Sequence, residues 1–157
     1  MATAPYTYDP RQVALIVGGH QVTGLADGTF LEWTPEGQDW EDISGADGHV
    51  ARSKTNDRRG TLTLTLAQTS PSNEILSALL TADRADGRGV VPVLVKERGA
   101  NAPTLLSSAG AWIMQPPDVT YNKEVGEREW QLRGAWDVFV GGGRFSEGRS
   151  INSITED

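Results

Sequence analysis

Polar and apolar residues alternate most strictly over "GTLTLTLAQ", Gly60 to Gln68, with Leu62, Leu64 and Leu66 in one set of positions and Thr61, Thr63 and Thr65 in the other. Successive side chains on a strand point to opposite faces, so the pattern predicts a half-buried β-strand whose leucine face needs a core. The opposite face is all threonine, where a freely solvated sheet surface usually carries lysine and glutamate as well. A second alternating run, "EREWQLRGAWDVFVGGG", reads as one long strand. It sets Trp130, Leu132, Trp136, Val138 and Val140 against Glu127, Glu129, Gln131, Arg133 and Asp137. Gly134 interrupts its apolar face, where a bulge or a close backbone approach fits.

Shorter runs surround these two. "QVALIVGGHQVTGL" reads as two β-runs about the hairpin turn signal Gly18-Gly19, and "GTFLEW" (28–33) as a third. "VVPVLVKE" (90–97) is a strand whose Pro92 marks an edge or a bulge. "TLLSSAGAWIMQ" (104–115) reads as two short runs about Ala109-Gly110, stopped by Pro116-Pro117. One helix is expected over about residues 71–86. Ser70 would be its N-cap, Pro71 its first position, Ile75, Leu76, Leu79 and Leu80 its apolar face and Gly87 its stop. Residues 34–60 are polar, with no helical period and one weak β-run near His49 to Thr55, and read as an extended loop of a length that is usually functional or mobile. Residues 1–11 and 141–157 read as arms. Many strands with one helix indicate a mainly β fold, an antiparallel barrel or sandwich.

Composition narrows the picture without changing it. The 157 residues make one domain, 1–157, long enough for a core without covalent staples. Cysteine is absent, which excludes disulfides and thiolate metal sites. Lys+Arg number 14 against 21 Asp+Glu, the reverse of the balance in a protein that grips nucleic acid by its phosphates. "MATAPYTYDPRQ" has no charged n-region, and Val13 to Val17 is too short for a signal or a membrane span, so a soluble protein made in the cytoplasm is expected, with no membrane insertion.

Catalytic signatures are thin. His20 follows a hairpin turn and His49 lies in the polar loop, each without a second ligand at metal spacing; both read as solvated or capping residues. Glu36, Asp39, Glu41 and Asp42 surround Trp40, where a glycosidase could place a carboxylate pair; a solvated acidic loop accounts for them as well. "GGGRFSEG" (141–148) lacks the Lys-Ser/Thr ending and the strand-to-helix setting of a phosphate loop. No enzyme, cofactor or metal site is expected. The aromatics offer more. Trp112, Trp130 and Trp136 read as core and Trp33 as core or rim, while Trp40 either anchors a protein contact or folds back over the barrel. Arg52, Lys54, Arg58 and Arg59 form a basic patch beside the acidic Glu36 to Asp47. Such segregation suits docking between copies, and equally a solvated hairpin of mixed charge. A carbohydrate-binding module using Trp33 and Trp40 as sugar platforms is the alternative from another class.

The order of these features resembles the tail-tube proteins of contractile-tailed bacteriophages. A hairpin precedes "DGTFLEW" and the long polar loop. "RRGTLTLTLAQTSPSNEILSALL" then runs a strand straight into the single helix, and "GVVPVLVKE" and "EREWQLRGAWDVFVGG" follow. The likeness spans most of residues 8–142. It implies a non-enzymatic virion protein, assembled in the host cytoplasm, whose hexameric rings stack into a hollow tube that the genome crosses. It also implies sheath, tape-measure, baseplate and tail-terminator proteins as partners, with double-stranded DNA as transient cargo. Thr61, Thr63, Thr65, Glu127, Glu129 and Gln131 would then face the lumen. Trp40, Glu41, Asp42, Arg52, Lys54, Arg58 and Arg59, in the loop 34–60, would contact a neighbouring subunit or ring. A phage-derived secretion system or bacteriocin would share this architecture without the same cargo.

Overall fold

The computed structural model describes residues 9–97 and 104–141. A 3-10 turn, Pro10–Gln12, leads into β1 (Val13–Val17) and β2 (His20–Gln21). β3 (Leu31–Pro35), β4 (Trp40–Ser44), β5 (Val50–Lys54) and β6 (Arg59–Ala67) follow, then α1 (Ser72–Asp86). β7 (Val91–Glu97), β8 (Thr104–Gln115), β9 (Glu127–Ala135) and β10 (Val138–Gly141) complete the order. The predicted arms fall largely outside this range: residues 1–8 and 142–157, with "GGRFSEG", lie beyond the described residues.

Eight strands form one antiparallel sheet in the order β2-β1-β7-β8-β9-β6-β3, with β10 also on β8. No pairing joins β2 to β3 among the described residues, so the sheet does not close into a barrel. It folds over instead, sandwich-like, and the leucine face of β6 meets β1 and β7. Leu62, Leu64 and Leu66 are 0% exposed and share one core with Leu15, Val17, Val93, Val95, Trp130 and Leu132. Each fully buried leucine stabilises the fold by roughly 1.5–3 kcal/mol, and here the alternation directs every one inward.

The Gly18-Gly19 turn is as expected. Val17 pairs with His20, and both glycines have positive φ, 58° and 86°, as a type I′ turn requires. Pro92 sits at a register shift between Val91 and Val93, so the bulge reading holds; β7 lies inside the sheet, between β1 and β8. α1 starts one residue later than its signals suggested. Pro71 holds the cap position without a side-chain bond, and Ser70 Oγ accepts from the Ser72 amide at 3.2 Å. Leu76 and Leu80 are buried, but Ile75 is 44% exposed, because only a narrow stripe of this helix reaches the sheet. Gly87 ends it in the left-handed conformation.

Three expectations about strands need correction. Residues 104–115 form one strand, not two; it bulges against β7 at Ala109-Gly110, opposite Pro92, and against β9 between Ile113 and Gln115, while Gly110 keeps its pairing with Ala135. The final alternating run is two strands, although both keep one register on β8, with Ala135 opposite Gly110 and Val138 opposite Ser107. Between them Trp136 donates its amide to the Arg58 carbonyl at 2.8 Å and buries its indole, so Val138 and Val140 leave the core face. At Gly134 the chain approaches closely without a bulge; an added Cβ would stand 2.7 Å from the Gly110 carbonyl oxygen. Trp112 is not core. It is 37% exposed, beside Arg133 on the polar face.

The largest correction concerns residues 34–60, which form a β-ribbon rather than a loop. Pro35 pairs with Gly60 and the Glu36 amide with the Arg59 carbonyl at 2.9 Å. Thr55 donates to the Asp39 carbonyl at 2.8 Å, and β4–β5 pairing begins at Trp40 and Lys54. The β3–β6 pair therefore runs on past the sheet, while β9 accompanies it only as far as Trp136. Every residue of β4 and β5 is exposed. From Gly60 to Val50 is ten residues, or roughly 30 Å at about 3.3 Å per residue.

Candidate functional site

No group of three or more His, Asp or Glu residues poised to hold a metal occurs among the described residues. No helix described is long and apolar enough to cross a membrane. His20 Nε2 lies 3.2 Å from Ser72 Oγ, which also accepts from the Thr23 amide, so this histidine braces the start of α1. His49 pairs with Asp47 at the exposed ribbon tip. Of the loop carboxylates, Glu36 bonds Arg133 at 2.9 Å and Asp42 stands opposite Arg52. The sugar-platform reading finds both rings engaged. Trp33 stacks on Phe139 at 5.4 Å and meets Trp136 edge-on, and the Arg52 guanidinium lies 3.9 Å from the Trp40 ring centroid.

Two surfaces remain. The first is the polar side of the central strands. Thr61 faces Arg133, Thr63 faces Gln131 and Thr65 faces Glu129, so the two predicted polar faces are one continuous surface. β3 extends it with Glu32 beside Thr63 and Thr34 beside Thr61, and β8 brings Trp112 next to Arg133. α1 lies on the other side of the sheet, where Leu76 joins Leu62, Leu64 and Leu66 in the core. Glu32, Glu127 and Glu129 stand exposed on this polar face, and its arginine, Arg133, is held by Glu36. Among the described residues, both lateral margins of the four strands carry unpaired stretches: β3 has no partner beyond β6, and β7 reaches β8 only as far as Ala111. Glu32 and Thr34 were missed because β3 is short and its alternation covers few residues, and Trp112 because an apolar residue in a β-run reads as core.

The second surface is the ribbon, the arm. It gathers Trp40, Glu41, Asp42, Arg52 and Lys54 on its two strands, and Arg58 and Arg59 at its root. The acidic and basic halves lie on facing strands of one chain, with Asp42 across from Arg52 but Glu41 across from Ser53. At the root Asp57 accepts from the Arg59 side chain at 2.9 Å twice and from its amide at 3.1 Å. The side-chain bonds to Arg59, followed by the amide bond, hold the Asp57 carboxyl down at about 2.

Comparison with known proteins decides the family. The model of the bacteriophage PhiTE tail tube protein matches residues 21–141. The chain belongs to that family. This is a structural family of phage tails, not an enzyme family. Among curated relatives, the structural protein ORF10 of Pseudomonas phage KPP10 is 26% identical over 151 residues, 91% of this chain and 86% of its own. The tube-terminating cap of the anti-feeding prophage superposes with a TM-score of 0.60 at 12% identity, covering 85% of this chain and 91% of the cap. The sheath/tube terminator of the PVC extracellular contractile injection system gives 0.61 at 10% identity, covering 88% of this chain and 98% of that one. A chain of the PVC sheath-tube complex gives 0.56 at 11%, covering 89% and 93%. At such identities the likeness to the injection systems is one of fold.

Proposed function

We propose that this tail tube protein assembles as hexameric rings stacked into the hollow inner tube of a virion tail, the conduit for double-stranded DNA. The observation that carries the reading is the four-strand polar surface with unpaired margins. An exposed sheet edge invites pairing with another chain, and head-to-tail closure of a ring removes both margins at once. Inside such a ring Thr61, Thr63, Thr65, Glu127, Glu129 and Gln131 line the channel. Duplex DNA carries roughly one negative charge per 1.7 Å of axis, so a wall of threonine and glutamate with its arginine neutralised offers it no hold. The arm, projecting roughly 30 Å from one end of the sheet, is the element that reaches a neighbouring subunit or ring. Sheath, tape-measure, baseplate and tail-terminator proteins are its partners in a phage tail assembled in the host cytoplasm. The injection-system folds among its structural neighbours support a second setting, the tube of a phage-derived injection machine.

Negative-stain electron microscopy of the purified chain across concentration tests the assembly. Rings or tubes are expected; a monomer that persists under every condition would overturn the proposal. Replacing residues 40–54 by a two-residue Asn-Gly turn should leave a folded subunit that no longer stacks.

A further inference from the structure

Arg128 is a buried cation with no anion beside it among the described residues. It is 8% exposed and sits on the core side of β9 next to Trp130. Its Nη1 donates to the Glu127 carbonyl at 3.1 Å, and the Tyr121 ring centroid lies 5.6 Å from the guanidinium carbon. No carboxylate pairs with it among the described residues. A guanidinium has five N–H donors, and leaving a buried charge unpaired is costly. This one lines an open cleft of about 500 Å³ between α1 and the segment after β8, with Leu80, Val119 and Trp130 as apolar walls and Ser77 at its rim. A cleft so built accepts an apolar side chain next to a carboxylate.

The arm carries that combination. On one face of β4–β5, Asp42 stands across from Arg52, and Arg52 covers Trp40, so this face carries its own cation. On the other face Glu41 and Ile43 stand opposite Ser53 and Ala51. Glu41 therefore has no cation across the ribbon, and Ile43 is 71% exposed. The two sit on the same side of one strand, about 7 Å apart.

Arm and cleft lie at opposite ends of β6. The arm leaves at Arg59, while Gln68 and Arg128 stand at the far end, Arg128 paired with Leu66. The arm runs away from that end, so a copy does not reach its own cleft, whereas a copy stacked on it end to end does. We propose that Glu41 and Ile43 of one copy dock in the Arg128 cleft of the next. The carboxylate pairs with the guanidinium, and the isoleucine covers Leu80 and Trp130. This rests on the stacked-ring reading above and supplies the receptor for its arm.

The chain has no cysteine, so engineered pairs report cleanly. Ile43 and Ser77 are both exposed. Oxidising assembled Ile43→Cys/Ser77→Cys should give a ladder of covalent multimers on a non-reducing gel; Ile43→Cys/Thr63→Cys should give none beyond what single variants show. Glu41→Arg should raise the concentration needed for stacking roughly tenfold or more, with Arg128→Glu in the same chain restoring it. If Arg128→Glu does not fold, the cysteine pair alone decides. Absence of the ladder, while the arm-shortened chain still fails to stack, would overturn the docking site and leave the arm's role intact. Normal stacking of the arm-shortened chain would remove the stacking role and the docking together.

Discussion

Arg133 Nη2 and Glu36 Oε2 meet at 2.9 Å, joining the polar face of the sheet to the root of the arm. Arg133 comes from the middle of β9 and Glu36 from the first residue beyond β3, so one ion pair links the two surfaces on which the proposed function depends. Both side chains are partly solvated, and such a pair contributes about 0–1 kcal/mol. Glu36→Gln should therefore shift the urea midpoint little. It should also leave an unneutralised cation on the polar face. Assembled tubes of this variant are expected to retain duplex DNA more strongly at low salt than at high salt, measured by co-sedimentation. Equal retention by variant and parent would count against the channel-wall role of this face.

The two faces of β6 should separate stability from function. Leu64→Ala empties a fully buried site and should cost about 2–5 kcal/mol in denaturant unfolding. Thr63→Lys on the opposite face should change stability by roughly 0.5 kcal/mol or less while adding a charge that holds DNA. A large loss of stability from Thr63→Lys would show that this face packs against something in the monomer.

Gly60 is where the arm enters the sheet, and two indoles close over it. A Cβ there would lie 2.8 Å from Trp33 Nε1 and 3.0 Å from Trp136 Cδ1, while Trp136 Nε1 donates to the Gly60 carbonyl at 3.0 Å. Gly60→Ala should cost about 1–3 kcal/mol by overpacking, read from chemical denaturation and a changed tryptophan emission. The buried Trp33 Nε1 has no hydrogen-bond partner among the described residues, so displacing that ring breaks ring contacts with Phe139 and Trp136 but no hydrogen bond of its indole.

Asp57 gives the arm root a pH dependence with a defined sign. Its carboxyl is lowered from 3.8 to about 2 by Arg59, so the native state favours the ionised form. The resulting stability is present above about pH 4 and is lost as pH falls toward about 2. Asp57→Asn should thus be less stable than the parent at pH 6, and the difference should vanish near pH 2 when both are unfolded by urea. A difference that stays constant with pH would mean that the aspartate acts by shape alone.

Arg52 over Trp40 should matter to the arm and not to the core. Arg52→Ala removes a contact worth about 0.5–1 kcal/mol at an exposed site. The melting temperature of the sheet should hold, while limited proteolysis within residues 40–54 should quicken. Unchanged proteolysis would show that backbone pairing alone keeps the ribbon closed.

Much of this protein is written in its alternation. Where one face of a strand is buried, the period of two records it directly, and β6 and β9 were legible on that basis; the hairpin was legible from its Gly18-Gly19 turn signal, and α1 from its apolar spacing and the Gly87 stop. The shared polar face follows from the same periodicity once the two strands are paired. Elements with no buried face leave no such record. β4 and β5 are wet on both sides, so the arm carries no hydrophobic period and reads as a loop, although its backbone continues the β3–β6 ladder. Trp112 and Ile75 mislead for the converse reason: an apolar residue shows what could be buried, and only the placement of neighbouring elements decides whether it is. Arg128 lies furthest from view in the sequence. It occupies a leucine-face position in β9 by parity, and its burial without a carboxylate arises only where α1 and the segment after β8 close over that end of the sheet. Local periodicity determined which face of each long strand is apolar. Tertiary packing decided which edges, clefts and charges were left for another chain, because those depend on partners distant in sequence.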